Sequence, residues 1–265
     1  MAVSFFVAAH PDDALLFRGD FVFTDMRWSG AKIVVIDTTA GDDGIGNAWW
    51  RARERGLVDA CAAARPSLRI GEDAPVFAGR AVQRYRGENW TCYFLRLPDG
   101  NLGGQGFPSH GNQSLQKLRA GQLPGGMTTV DGAATYPDWA AVLESLRLIV
   151  DQERQGEAGT PWVNASDWNA AENPDDHSDH YATGYAIRDA LGPNEFNFAW
   201  WKSYCTRDDN RFPPNLSGVV LSSKRFLFYT YAWRVLPARP GYQGVIDGEW
   251  AQWGAKSYAR TVTAG

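Results

Sequence analysis

Two short, mainly apolar runs, each followed by a helical stretch, limit what the N-terminal quarter of the chain can fold into. Val3–Ala8 and Lys32–Asp37 have the composition of strands buried on both faces. A helical pattern follows each run, over about Ala14–Trp28, where Gly30 is predicted to end the helix, and over Asn47–Ala64. This strand–helix–strand–helix order predicts a parallel sheet with helices on its faces.

The rest of the chain is predicted to continue the alternation around a long loop. Pro98–Gly126 is rich in Gly, Pro and Asn and is predicted to be mainly loop, with a short helix near Ser114–Arg119. Helix is favoured over strand for Val219–Trp233. We therefore expect one Rossmann-like α/β domain over residues 1–265, with a mostly parallel sheet flanked by helices and a loop-rich cleft. Asn47 is predicted to be an N-cap, and the other predicted elements are strands at Val76–Tyr85, Trp90–Leu97, Trp162–Ala165 and Phe196–Cys205 and helices at Pro137–Gln155, from His180 to about Leu191 and at Gly248–Tyr258.

Charge and cysteine usage exclude several classes of protein. The formal net charge is −4 and no Lys/Arg run is present, which disfavours binding to nucleic acid. No stretch approaches the ~18 apolar residues of a membrane helix. Cys61, Cys92 and Cys205 are widely spaced and suit reduced thiols better than disulfides. We expect a cytoplasmic protein that acts on a small molecule.

Three of the four histidines lie in two short acidic motifs. The first, His10–Asp13 (HPDD), follows the first predicted strand, and the second, Asp175–His180 (DDHSDH), follows the predicted strand at Trp162–Ala165. Each motif alone is compatible with a capped turn or a polar helix start. Ligands bind at the carboxyl ends of strands in parallel α/β sheets, so the two motifs together favour a shared site.

The residue types in these motifs are those of a catalytic zinc site. His10, Asp13 and His180 offer the nitrogen and oxygen donors that zinc prefers, and three protein ligands leave one position open. Asp12 would stand beside the metal without binding it, where it can take a proton from water. His177 would likewise lie next to the metal as a non-ligand. We predict one zinc ion per chain.

The two motifs resemble those of the PIG-L/LmbE deacetylase family, zinc-dependent enzymes that act on N-acetylglucosaminyl conjugates. The family pattern is His-Pro-Asp-Asp-Glu with His-Pro-Asp-His. This chain has Ala14 where Glu is usual and Ser178 where Pro is usual, and neither is a ligand position. A Gly-rich loop at Gly41–Gly44 and the pair Arg51-x-x-Glu54 also resemble the family.

The resemblance implies an LmbE-like fold and hydrolysis of an N-acetyl group by zinc-activated water. Asp12 is expected to act as general base, and His177 to stabilise the oxyanion, best as an imidazolium. Asp179 is expected to orient a histidine, and Arg51 and Asp43 to bind sugar hydroxyls.

The aromatic content resembles one branch of that family more closely. Twelve Trp, the loop Leu97–Gly111 and the aromatic C-terminal third are similar to deacetylases of glycopeptide-antibiotic biosynthesis, which act on teicoplanin-type N-acetylglucosaminyl pseudoaglycones. Several Trp are expected to line the cleft. His110 is either exposed without a role or in contact with substrate.

Three alternatives to this substrate or activity remain open. One is deacetylation of another N-acetylglucosamine conjugate, such as a mycothiol-type precursor. Another is a non-catalytic sugar-binding protein with a structural metal. Asp12 disfavours this alternative, because a binding protein does not need an unligated carboxylate beside the metal. The last is a metallo-phosphoesterase, which usually needs two metal ions and therefore more ligands than these motifs offer.

Overall fold

Strands and helices alternate along the computed structural model, which describes residues 2–29 and 31–264. The α-helices are α1 (Asp13–Thr24), α2 (Asn47–Ala64), α3 (Leu115–Arg119), α4 (Trp139–Arg154), α5 (Ser178–Ala190), α6 (Gly218–Val235) and α7 (Gln243–Trp253). The strands are β1 (Val3–Ala8), β2 (Lys32–Thr39), β3 (Gly71–Asp73), β4 (Val76–Phe77), β5 (Arg80–Ala81), β6 (Gln83–Arg86), β7 (Trp90–Leu97), β8 (Met127–Thr128), β9 (Thr135–Tyr136), β10 (Trp162–Ser166), β11 (Asn197–Trp201) and β12 (Ala259–Val262). No helix among the described residues is long and apolar enough to cross a membrane.

Eight of the strands form one sheet, in the order β12-β11-β10-β1-β2-β7-β6-β3. The five strands from β11 to β7 are parallel to their neighbours within that block. Antiparallel pairs extend the sheet at both sides, β11 with β12 and β7 with β6 and then β3. The expected α/β class with a mostly parallel sheet is confirmed.

Hydrophobic cores cover both faces of the sheet. Successive side chains of a strand point to opposite faces, so Phe5 and Val7 of β1 enter one core and Phe6 and Ala8 the other. The first core contains apolar residues of α3, α4 and α5, and the second those of α1, α2, α6 and α7. Because β1 is buried on both faces, it reads in the sequence as a mainly apolar run.

The strand order reverses next to β1. From β1 the chain adds β2 and then β7 on one side, and later adds β10 and β11 on the other. Such a reversal leaves a crevice at the carboxyl ends of the two strands that flank it, here β1 and β10. The two histidine motifs follow these two strands, so the topology brings them to one crevice.

Several predicted elements need correction. The strand predicted over Val76–Tyr85 is wrong, because Ala78 and Gly79 have φ of 48° and 82° and turn the chain into the short pair β4–β5. The strand predicted over Phe196–Cys205 ends at Trp201 and is followed by a 3₁₀ turn at Tyr204–Arg207. The final helix begins and ends five residues earlier than predicted, and β12 was not predicted.

The first two helices also differ in detail from the prediction. α1 ends at Thr24 and continues as a π-helical turn over Asp25–Ser29. The residue predicted to end this helix, Gly30, lies outside the described residues. Gly46 rather than Asn47 occupies the N-cap of α2. The Asn47 side chain instead accepts a hydrogen bond from Trp50 Nε1 at 3.1 Å.

Candidate active site

A cleft of about 280 Å³ lies where the loops after four parallel strands meet. The loop after β1 contributes His10 to Asp13, and the loop after β10 contributes His177. The loops after β2 and β7 add Asp43 and Asp99. Further walls come from α1, α2, the long loop, the turn after β11 and the C-terminal helical region. They consist of Leu16, Phe17, Trp49, Arg53, Asn101, Leu102, Phe107, Tyr204, Arg239, Tyr242, Glu249 and Trp253.

The three predicted metal ligands lie together, and two of them, His10 and Asp13, line this cleft. One ligand atom from each of His10, Asp13 and His180 lies within 4.8 Å of the other two. Asp13 bridges the histidines, with Oδ2 at 3.3 Å from His10 Nδ1 and Oδ1 at 3.2 Å from His180 Nε2. Each of the three residues is at most 5% exposed. Nitrogen and carboxylate donors in this number suit a divalent metal such as zinc.

The ring of His180 is held so that Nε2 is free to bind a metal. His180 Nδ1 lies 2.8 Å from Asp176 Oδ1, which places the proton on Nδ1. Nε2 is buried and has no hydrogen-bond partner in the part of the chain that is described. Burial alone would lower the pKa of His180, but Asp13 and Asp176 outweigh it and raise the pKa to about 10. Asp13 and Asp176 therefore favour positive charge at His180.

A second group of potential ligands shares His10 with the first. His10, Asp99, His177 and Asp179 also place one donor atom each within 4.8 Å of one another. In this group, however, His177 Nδ1 accepts a hydrogen bond of 3.1 Å from the Asp179 N–H. The proton of a neutral His177 must then be on Nε2, which leaves no lone pair to bind a metal. The set of His10, Asp13 and His180 is therefore the better metal site.

His177 is thereby suited to donate a hydrogen bond from Nε2 into the cleft. It occupies the N-cap of α5, and its own Nδ1 caps the helix through the Asp179 N–H. Burial, together with the nearby His10, lowers the pKa of His177 to about 4. The structure thus favours a neutral imidazole where the sequence-based mechanism prefers an imidazolium.

Asp12 is held by an ion pair rather than by the helix that it precedes. It stands at the N-cap of α1 but makes no capping hydrogen bond with its side chain. Arg53 Nη2 donates to Asp12 Oδ1, and the Tyr231 hydroxyl donates to Oδ2 at 3.3 Å. Arg53 is fixed in turn, since it donates to Gly41 O at 2.7 Å and to the Tyr231 oxygen at 2.9 Å. The carboxylate is therefore oriented at the metal site without being part of the ligand set.

The predicted supporting residues fall in different places. Asp179 Oδ2 lies 3.5 Å from His10 Nε2 and accepts a 2.8 Å hydrogen bond from Gly100 N, a position from which it can orient His10. Asp43 lines the cleft and binds Arg239 at 2.8 Å. Arg51 does not line the cleft. It is exposed, with its guanidinium 4.7 Å from the Trp50 ring centroid, and Arg53 is the arginine of α2 at the site.

Two further carboxylates, which were not predicted from the sequence, lie in the cleft. Asp99 is buried, with Oδ2 at 3.7 Å from His10 Nε2 and Oδ1 at 3.9 Å from His177 Nε2. Its position directly after β7 was a usable signal, because neighbouring parallel strands end at the same edge. Glu249 comes from α7, and one of its carboxylate oxygens is buried without a partner among the described residues. Burial and the nearby Asp12 raise the pKa of Glu249 to about 8.

The expected aromatic lining is present but small. Trp49 and Trp253 line the cleft, whereas Trp90 and Trp201 are fully buried in the core. His110 is half-buried and its Nε2 lies 2.8 Å from Oδ2 of the buried Asp42, so it is not the exposed residue without a role that was one of its two expected states.

Comparisons with known proteins yield structural likeness at low sequence identity. No family model and no curated protein matches this chain. The 4-carboxy-2-hydroxymuconate hydratase GalB from Pseudomonas putida KT2440 aligns over 95% of this chain and 84% of its own, with 11% identity and a TM-score of 0.49. The N,N'-diacetylchitobiose deacetylase from Pyrococcus horikoshii aligns over 99% and 84%, with 12% identity and a TM-score of 0.48.

The zinc-inhibited form of teicoplanin deacetylase Orf2 is similar to the same degree. It aligns over 98% of this chain and 96% of its own, with 14% identity and a TM-score of 0.48. These three proteins include a hydratase and two deacetylases. Likeness at this level therefore decides neither the reaction nor the substrate, which must be argued from the site.

Proposed function

We propose that the protein is a metal-dependent N-deacetylase that removes the acetyl group from an N-acetylglucosaminyl group. One observation carries the proposal. His10, Asp13 and His180 bring three donor atoms within 4.8 Å of one another, and the unligated carboxylate Asp12 lines the same cleft. A binding protein with a structural metal has no need of a carboxylate held in that position by Arg53.

One buried nitrogen at the site fits a bound divalent cation. Nε2 of His180 is buried and lacks a hydrogen-bond partner within residues 2–29 and 31–264. A bound metal ion would satisfy such an atom, and we propose one zinc ion per chain held by His10, Asp13 and His180. When bound, zinc supplies a Lewis acid for the amide carbonyl and lowers the pKa of water.

Asp12 and His177 have different roles in the proposed reaction: Asp12 transfers protons, and His177 stabilises negative charge. Asp12 accepts a proton from the attacking water and later delivers it to the nitrogen of the leaving sugar amine. Arg53 and Tyr231 fix the orientation of that carboxylate. His177 donates a hydrogen bond from Nε2 to the amide oxygen as negative charge develops on it. Because its pKa is lowered, His177 does so as a neutral donor.

The cleft has the size and lining that one sugar ring requires. Its volume of about 280 Å³ is near the lower end of ligand pockets. Trp49 and Trp253 offer aromatic surface, and Asp43 with Arg239 offers polar groups for sugar hydroxyls. The substrate we propose is the N-acetylglucosaminyl group of a glycopeptide-antibiotic pseudoaglycone.

Release of a free amine tests the proposal. Zinc-loaded protein is incubated with N-acetylglucosamine, N-acetylglucosaminyl glycosides and phosphoesters, and primary amine, acetate and phosphate are measured. We expect amine and acetate only from the N-acetyl compounds, with activity lost on chelation and regained with zinc. Asp12→Asn should keep its metal and lose roughly 10²-fold or more of the activity, the usual contribution of a general base.

The matched control is Asp20→Asn, which changes a buried carboxylate that does not line the cleft. This variant should keep activity. Absence of amine release from every N-acetyl compound, with metal bound, would contradict the deacetylase proposal.

A further inference from the structure

A second chamber opens directly beside the cleft. Its volume is about 870 Å³, and it shares Leu102, Tyr204, Glu249 and Trp253 with the cleft wall. These four residues border both spaces, so the chamber lies next to the cleft. The cleft, at about 280 Å³, has room for one sugar ring, and the chamber, at about 870 Å³, has the larger volume.

One face of α7 forms a wall of the chamber. Gly244, Val245, Gly248, Glu249 and Gln252 all line it, with the spacing of a single helix face. Glycine is among the weakest helix formers, so two glycines on one face of an eleven-residue helix need an explanation.

Packing within the protein does not explain these glycines. A Cβ atom added at Gly244 or at Gly248 would meet no atom of the described structure within 4 Å. Neither glycine has a positive φ, so backbone conformation does not demand glycine either. What the two glycines do is keep the chamber wide and leave the backbone of α7 open to it.

The other walls of the chamber combine aromatic and polar groups. Tyr204 and Trp253 are stacked, with ring centroids 5.0 Å apart and an interplanar angle of 14°. Leu102 and Val245 are 57% and 44% exposed. Arg207 and Gln252 supply hydrogen-bond donors at the rim. Flat apolar surface with a few polar groups suits an aromatic ring that carries polar substituents.

We propose that this chamber is a subsite for an aryl group attached to the amino sugar, and that Gly244 and Gly248 determine how large that group can be. The proposal rests on the proposed deacetylase function, because it places the acetylated sugar in the cleft. It identifies the substrate class as an aryl glycoside rather than a free sugar or an alkyl glycoside. The contacts in the chamber would position the sugar for reaction.

The test compares two glycosides that differ only in the attached group, 4-nitrophenyl and methyl N-acetyl-β-D-glucosaminide. Deacetylation is followed as amine release with zinc-loaded protein. We expect kcat/KM of the wild-type protein to be at least tenfold higher for the aryl glycoside. Gly248→Leu should lower the aryl-to-methyl ratio at least tenfold. Ala251→Leu adds the same side chain at an exposed position of α7 outside the chamber and should leave the ratio unchanged.

Gly244→Leu repeats the test at the exposed beginning of α7, should Gly248→Leu fold poorly. A wild-type ratio near one, or a ratio that neither leucine variant changes, would overturn the subsite. If the wild-type protein turns over neither glycoside, the deacetylase proposal fails on its own. Calorimetric Kd values then decide on the subsite: tighter binding of the aryl glycoside, lost in the leucine variants, supports it, and equal Kd values reject it.

Discussion

Replacing Arg53 by Met should damage both the fold and the reaction, whereas Arg51→Met should affect neither. Arg53 is 8% exposed and binds Asp12, Gly41 O and the Tyr231 hydroxyl at once. Arg51 lies two residues earlier on the same helix, is exposed and makes a single cation–π contact with Trp50. The pair of variants therefore removes the same charge from a buried and from an exposed position.

The expected loss of stability follows from what Arg53 leaves behind. Removing one partner of a buried ion pair costs about 3–5 kcal/mol, because the other charge stays buried and uncompensated. The hydrogen bonds to Gly41 and Tyr231 are lost as well, at about 1 kcal/mol each. We therefore expect the free energy of unfolding to fall by about 5–7 kcal/mol in Arg53→Met. For Arg51→Met the expected change is below about 1 kcal/mol, the value of an exposed cation–π contact.

Chemical denaturation of the zinc-loaded variants measures these values, and a double-mutant cycle with Asp12→Asn isolates the pair. Because the double variant buries no uncompensated charge, it should be more stable than the sum of the single losses predicts, by about 2 kcal/mol or more. Activity of Arg53→Met should fall roughly 10²-fold, since Asp12 loses its orientation. Equal effects of Arg51→Met and Arg53→Met, or additive energies in the cycle, would refute the reasoning.

Three more results are expected. His180→Ala should lose most of the bound zinc while His177→Ala keeps it and loses activity roughly 10²-fold, as an oxyanion donor would; equal metal loss, measured by elemental analysis, would mean that His177 is a ligand. Zinc must displace protons from His10 and His180, because the pKa values of both are raised, that of His180 to about 10. Zinc affinity should therefore rise with pH from 6 to 9, and calorimetry in buffers of different ionisation enthalpy should detect released protons. An affinity independent of pH would contradict this. The pKa of Glu249 is raised from an ordinary 4.5 to about 8 in the folded protein. Between these pH values the folded state keeps a proton that the unfolded chain releases, so the wild-type protein should lose stability relative to Glu249→Gln as pH rises from 4.5 to 8. Thermal melts in which the difference between the two proteins stays constant would show that the pKa of this carboxyl is not raised.

Local signals explain why much of the fold could be predicted from the sequence. β1, β2 and β7 are buried runs bounded by turns, and each lies within two residues of its predicted limits. The proximity of His10, Asp13 and His180 could be predicted because the motifs that contain them directly follow β1 and, after one loop, β10. Strand ends and short motifs are encoded within a few residues, so no tertiary information was needed.

The error at α2 shows where such reasoning stops. Arg51 and Arg53 are two residues apart and so point to different sides of the helix. Which side faces the crevice is set by the packing of α2 against α6, whose Tyr231 binds Arg53. A motif of the form Arg-x-x-Glu does not contain that information. Glu249 could not be predicted either, because only the tertiary packing of α7 brings it near Asp12.

The two histidines of the second motif show that opposite roles can follow from hydrogen bonds at a single atom. His180 Nδ1 faces the Asp176 carboxylate, which leaves its Nε2 lone pair for a metal. His177 Nδ1 faces the Asp179 N–H, which leaves its Nε2 with a proton to donate. The difference arises because α5 begins at Ser178, so His177 is its N-cap and His180 lies within its first turn.

Ser178, which stands where the PIG-L/LmbE pattern has proline, contributes hydrogen bonds to this arrangement. The N–H of Ser178 donates to Leu102 O at 3.0 Å, and its hydroxyl donates to Asn101 O at 2.8 Å. Proline has no N–H and no hydroxyl, so it could make neither bond. Both acceptors belong to the loop after β7, in which the Asn101 N–H also binds Asp99 Oδ1 at 2.7 Å. Ser178 therefore ties the start of α5 to the loop that carries Asp99, and so holds Asp99 beside His177 and His10 in the cleft.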